Sequence, residues 1–102
     1  MNKGLRYLGL AKKAGRVMTG SNTCAIGMER GKVSLLILAG DMAGGSREKI
    51  ERIAERTGTN RVVWGDSEEL SQITGTAGRY VFAVTDEHFA EIILQEINAG
   101  TE

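Results

Sequence analysis

The chain contains no proline, one histidine and a single cysteine, Cys24. Without a second cysteine no internal disulfide can form, and no cysteine pair is there to grip a metal. The absence of proline argues against a hinged chain of two domains. Aromatic residues make up 5% of the sequence, and Tyr7, Trp64, Tyr80, Phe82 and Phe89 are scattered. They offer no platform on which the bases of a single strand could stack. The longest apolar run, Leu35 to Ala39, is far too short to span a bilayer, so no membrane partner is expected. Lys3, Arg6, Lys12 and Lys13 interrupt the N-terminal stretch, which excludes a secretory signal there and predicts a cytoplasmic protein.

Catalytic signatures are equally scarce. There is no G-x-S-x-G elbow, no Walker lysine motif, no G-x-G-x-x-G after a strand, and no His/Cys/acid group at metal-ligand spacing. Asp41 follows the longest apolar run, where α/β enzymes do place acids, but it lacks an evident partner and reads as a residue that orders backbone N–H groups. Glu68 and Glu69 stand side by side at a helix start, which suits capping better than acid–base work. His88 falls in the first turn of the last helix and reads as a surface residue. Cys24 lies on the inner side of its helix and reads as a small hydrophobe. The sequence therefore predicts no enzyme, no cofactor and no metal.

What is present is an ordinary globular composition, 41% hydrophobic and 25% charged, suited to one domain over residues 1–102. The formal net charge of zero hides an asymmetry. Residues 1–32 carry seven basic side chains against Glu29 alone, a net of +6, and residues 33–102 carry −6. Either surface charge is scattered unevenly, or one face is prepared for a polyanion.

Helical spacing of Leu5, Leu8 and Ala11 predicts a helix over Lys3 to Ala14, ended by Gly15. Arg16 to Thr19 is a short strand, Gly20 to Lys32 holds a short helix, and Leu35 to Ala39 is a strand buried on both faces. A loop over Gly40 to Gly45 precedes a helix capped by Ser46, with Ile50, Ile53, Ala54 and Thr57 inward. Arg61 to Trp64 is a third strand, and Asp66 or Ser67 opens a helix reaching about Thr74. After the loop Gly75 to Gly78 comes a second buried strand, Tyr80 to Val84. Asp86 then caps a last helix that buries Phe89, Ile92, Ile93 and Ile97. Helices and strands alternate on short connections. That pattern predicts an α/β chain folded as a three-layer α/β/α sandwich on a mixed four-stranded sheet.

The stretch Gly20 to Lys32 is the natural focus. Gly20, Ser21 and Asn22 open its helix and Gly31 closes it. On a helical wheel Cys24, Ala25 and Met28 share one side, and Asn22, Ile26 and Glu29 the other. A helix N-terminus flanked by basic residues suits a phosphate. Lys12, Lys13, Arg16 and Lys32 could contact a nucleic-acid backbone, and Asn22 and Thr23 could hydrogen-bond a base edge. Read by themselves, Ser21 and Asn22 are also ordinary helix caps.

Three segments in order resemble one family. They are Gly15-Arg16-Val17-Met18-Thr19-Gly20-Ser21-Asn22, then Met28-Glu29-Arg30-Gly31-Lys32, then the apolar strand Leu35 to Ala39 followed by Asp41. The family is that of ribosomal protein L7Ae, especially its small bacterial members of the YlxQ type. The likeness extends through the Gly75 loop and the Val84-Thr85-Asp86 entry to the last helix. It implies an α/β/α sandwich that binds kink-turn RNA, a sharply bent duplex built around tandem sheared G·A pairs. It implies a non-catalytic, ribosome-associated protein whose partner is structured RNA, with ribosomal RNA the expected source, and with room for a ribosomal or other protein partner. By position, Gly20, Ser21, Asn22, Thr23 and Ile26 would face the G·A pairs. Gly75, Thr76, Ala77 and Gly78, with Arg79 beside them, would pack on an extruded nucleotide.

The chain departs from the family's pattern at two of these positions. Thr23 stands where many members have Glu, and Ile26 where they have Lys. Thr23 can still hydrogen-bond an exocyclic amine, whereas Ile26 cannot contact a phosphate. Each lost charged contact would cost about 1–3 kcal/mol of RNA affinity. Thr76 and Ala77 replace the bulkier apolar residues usual in the loop. An alternative follows from the same departures: a protein-interaction module of this fold that has lost kink-turn reading and uses the Ile26 face for a partner.

Overall fold

A computed structural model describes residues 2–100. Its elements run α1 (Lys3–Lys13), β1 (Val17–Thr19), α2 (Ser21–Glu29), β2 (Leu35–Leu38), α3 (Gly44–Thr57), β3 (Arg61–Val63), α4 (Ser67–Ile73), β4 (Val81–Val84) and α5 (Glu87–Ala99). The strands form one sheet in the order β1-β4-β2-β3. β4 is antiparallel to both β1 and β2, and β2 is parallel to β3, so the sheet is mixed as expected.

Alternation along the two central strands divides the core between the two faces of the sheet. Leu35, Ile37, Phe82 and Val84 pack with Leu8 and Ala11 of α1, Leu70 of α4 and Ile93 and Ile97 of α5. Leu36, Leu38, Val81 and Ala83 pack with Cys24 and Met28 of α2 and with Ile50 and Ala54 of α3. Every residue of β2 and β4 is buried, which is why both strands read as unbroken apolar runs. The two helical layers and the sheet make the three-layer sandwich.

Most helix boundaries follow local signals. Asn2 caps α1 by accepting from the N–H groups of Gly4 and Leu5 at 2.7 and 3.4 Å. Asp66 and Glu69 form a reciprocal capping box on α4. Asp86 accepts from the N–H of Phe89 at 3.0 Å to open α5. Two expectations need correction. α3 begins at Gly44 rather than at a capping Ser46, because Ala43 already accepts from the N–H of Arg47 at 2.9 Å. Gly44 and Gly45 therefore belong to the helix and not to the preceding loop. The last strand begins at Val81, and Tyr80 is 41% exposed rather than part of the buried run.

Candidate nucleic-acid interface

The interface begins where β1 ends. The N–H of Gly20 donates to the carbonyl of Val81 at 2.9 Å, fixing the head of α2 against the start of β4. Gly20 has φ +96 and ψ 147, a conformation open in practice to glycine alone, and it is the N-cap of α2. Ser21 and Asn22 are therefore the first helical residues and do not act as caps. Among the described residues, no side chain caps α2, and its first turn holds no acidic residue. Its leading N–H groups, at the positive end of its dipole, have no capping side chain. At the far end the helix closes tightly. Gly31, at φ +67, lets the N–H of Lys32 reach the carbonyl of Gly27 at 3.0 Å.

The wheel derived from sequence agrees with the packing of α2. Cys24 and Met28 are buried, Ala25 is half-buried, and Asn22, Thr23 and Glu29 are exposed. Ile26 is 54% exposed. Burial pushes the Cys24 thiol up to about 12 despite the opposing charge of Arg79, so the group stays protonated and inert. Its sulfur sits 3.5 Å from the carbonyl of Met18 and 3.8 Å from that of Val81, packed as a small hydrophobe. The exposed Glu29 is ion-paired with Arg56 of α3.

The loop Gly75 to Gly78 reaches the same end of the sheet. It is held from within. Thr74 donates to the carbonyl of Leu70 at 2.8 Å and meets Thr76 hydroxyl to hydroxyl at 3.0 Å. Ser71 both accepts from the N–H of Arg79 at 3.0 Å and donates to its carbonyl at 3.1 Å. The Arg79 side chain crosses to α2, where a Cβ added to Gly20 would lie 3.0 Å from its Nη1. Gly20, Ser21, Gly78, Arg79 and Tyr80 then share a groove of about 400 Å³ with Asp41, Met42, Ala43 and Ser46.

Asp41 has a partner that the sequence did not reveal. Its carboxylate accepts from the N–H of Ser67 at 2.8 Å and from the Ser67 hydroxyl at 2.6 Å. It thus ties the turn after β2 to the start of α4. The Ser67 hydroxyl holds the Asp41 carboxyl below the usual range, against opposing desolvation and with the Ser67 N–H adding to it. Sequence reasoning also missed Met42, Ala43 and Ser46 as groove residues. The available signal was their position at the C-terminal end of a buried strand, where open α/β sheets bind ligands.

The structure separates the candidate residues into two groups. Gly20 and Ser21 come together with Gly78 and Arg79 in the groove at one end of the sheet, and Gly75, Thr76 and Ala77 belong to the same loop as Gly78. Thr23 follows on the first turn of α2, and Asn22 borders a separate hollow with Ser46, Lys49 and Ile50 of α3. Ile26 lies one turn along α2. Lys12, Lys13, Arg16 and Lys32 lie at the opposite end, and this corrects the picture of one cluster flanking the α2 N-terminus. Arg16 and Gly20 bracket β1, so strand rise alone puts them roughly 13 Å apart. The N–H of Thr85 donates to the carbonyl of Arg16 and that of Ser34 to the carbonyl of Val84, both at the end of β4 remote from Gly20.

Among the described residues, no group of three or more His, Cys, Asp or Glu side chains is gathered as metal ligands would be. None of the described helices is long and apolar enough to cross a membrane.

These features define a class: an α/β/α domain presenting an uncapped helix N-terminus and an arginine-bearing loop beside one groove. The sequence profile of the ribosomal protein L7Ae/L30e/S12e/Gadd45 family matches residues 2–94, and the chain belongs to that family. Among solved structures, a protein of unknown function from Bacillus halodurans is similar at 26% identity and a TM-score of 0.91. The match covers 96% of this chain and 99% of that one. A 15.5 kD RNA-binding protein of Giardia lamblia shares the fold, with a TM-score of 0.74 at 17% identity over 93% of this chain and 82% of its own. No curated protein matches the chain in sequence.

Proposed function

We propose that this protein is a non-catalytic RNA-binding protein of the cytoplasm, associated with the ribosome, that recognises a kink-turn or similarly bent RNA through the N-terminus of α2. Membership of the ribosomal protein family and the shared fold of the Giardia RNA-binding protein support RNA as the partner. One observation carries the site: Gly20 and Ser21, at the head of a helix that no side chain caps, line the same groove as Gly78 and Arg79. Phosphate oxygens are acceptors only, so a surface of free donors beside a guanidinium suits them. Asn22 and Thr23, exposed on the first turn, read the edges of the sheared G·A pairs. The groove beside the Gly75 to Gly78 loop receives the extruded nucleotide.

Arg79 supplies a positive charge where Ile26 cannot. The guanidinium lies beside Gly20, so the head of α2 keeps a cation in spite of the missing lysine. The test is binding to a standard kink-turn RNA and to the same RNA with its G·A pairs replaced. Asn22→Ala should weaken binding to the intact RNA roughly 10- to 100-fold and leave the altered RNA unaffected. Equal losses on both would remove Asn22 from the reading.

A second reading rests on Ile26, which is 54% exposed on a helix otherwise polar outside. Here the outer face of α2 seats a ribosomal or other protein partner, and kink-turn reading is lost. Thr23→Glu combined with Ile26→Lys separates the two readings. It would create kink-turn binding where the native chain has none, and only strengthen it where the native chain already binds.

A further inference from the structure

The basic side chains remote from the groove form a surface of their own. Lys12 and Lys13 close the last turn of α1, Arg16 precedes β1, and Arg30 and Lys32 follow α2. The chain brings them together because β1 and β2 both pair with β4. Val17 and Leu35 lie opposite the same residue, Val84. Among the described residues, Lys12, Lys13, Arg30 and Lys32 have no carboxylate within ion-pair distance, and Arg16 meets only Asp86, at 4.0 Å. Two acidic groups of this region are engaged. Asp86 caps α5 and Glu29 pairs with Arg56. Glu87 and Glu91 face a hollow beside Gly31 and Asn60, bounding the cationic surface on the α5 side. Helix dipoles favour cations at the ends of α1 and α2, but Arg16 and Lys32 lie outside both helices.

We propose that this end of the sheet is a second phosphate-binding surface, which grips the backbone of another segment of the RNA held at the head of α2. The inference rests on the RNA-binding reading above. No single phosphate can meet both ends, because β1 and its flanks hold them roughly 13 Å apart on a sheet whose central strands are fully buried. The protein therefore bridges two parts of one RNA. The head of α2 carries the geometric reading, and the basic end adds sequence-independent affinity through release of counterions.

The experiment compares the native chain with Lys12→Gln/Lys13→Gln/Arg16→Gln/Lys32→Gln on the intact and G·A-replaced RNAs across a salt series. Lys13→Gln/Lys32→Gln, at two exposed and unpaired positions, serves as a milder variant should the first lose stability. The salt slope is expected to fall by about one per neutralised contact, so by roughly three to four in the fourfold variant. Affinity should drop equally on both RNAs, leaving their ratio unchanged. Trimming the RNA stem that reaches the basic end should weaken the native chain and leave the fourfold variant unaffected. An unchanged slope, or equal sensitivity of both proteins to trimming, overturns the proposal. A native chain that shows no preference between the RNAs but loses slope on neutralisation would sink kink-turn reading and keep the second surface. A native chain that binds neither RNA would sink both.

Discussion

The two ends of the sheet are built from different materials. At the head of α2 the candidate site is mostly backbone: a glycine at φ +96, a helix start without a side-chain cap, and a loop pinned by Ser71 and Thr74, with one arginine laid across. At the other end stand long basic side chains, exposed except for the half-buried Lys12 and largely unpaired. Backbone donors are fixed by the fold, so they can demand a geometry of their partner. Lysine side chains are flexible point charges that accept any phosphate within reach. A protein with the proposed task of recognising a bent RNA and holding its charged backbone has use for both.

Predictions that break or sharpen this contrast run from the core outward. Phe82 is fully buried in β4, the strand that touches both ends. Phe82→Ala should cost about 3–5 kcal/mol in urea unfolding and weaken both ends together. Gly20→Ala should act on one end only. The left-handed backbone costs about 1–3 kcal/mol for a residue with a Cβ, and that Cβ would press on Arg79. Discrimination between the two RNAs should fall and the salt slope should persist. Alanine tolerated at Gly20 without loss of discrimination would mean the reading end is not built on its backbone.

Asp66→Ala removes half of the capping box that starts α4 and should cost about 1 kcal/mol by thermal or urea unfolding, with RNA binding affected only through the loop that α4 supports. Arg61 pairs with Glu51 and Glu55 at 3.4 and 3.2 Å on the partly exposed edge strand β3, across the sheet from β1. Arg61→Gln should cost about 0.2–1 kcal/mol and leave RNA binding unchanged.

Acid sharpens the same contrast through Asp41. Its folded-state pKa lies below the ordinary value of 3.8 because Ser67 donates to the carboxylate. A depressed folded pKa stabilises the native state above the unfolded value, and that contribution disappears as pH falls through the folded one. The Tm advantage of the native chain over Asp41→Asn should be constant above about pH 5 and shrink below about pH 4. Asp86, depressed chiefly by the Phe89 N–H, titrates in the same direction at the other end. An advantage that grows on acidification would contradict the Asp41–Ser67 tie.

Much of the fold was legible because its signals are local. Leu35 to Leu38 and Val81 to Val84 announce central strands by unbroken apolarity, and Asp66 and Asp86 announce helix starts by the hydrogen bonds they can accept. The start of α3 was hidden because no side chain caps it, and Ser46 sits where a cap would be expected. The candidate interface at the head of α2 and in the Gly75 loop rests on resemblance to the family and remains a proposal. The division of the basic residues was not legible, since charge counted along a sequence has no direction in space. Even so, Arg16 and Gly20 flank a three-residue strand, and a strand always parts its two ends.

The most direct measurement is the affinity of the native chain for an intact kink-turn RNA relative to the same RNA with its G·A pairs replaced, at one fixed salt concentration. A preference of at least about tenfold for the intact RNA is expected, from the contacts at Asn22 and the head of α2. Equal affinity for the two RNAs would contradict it, leaving a charged surface without a reader.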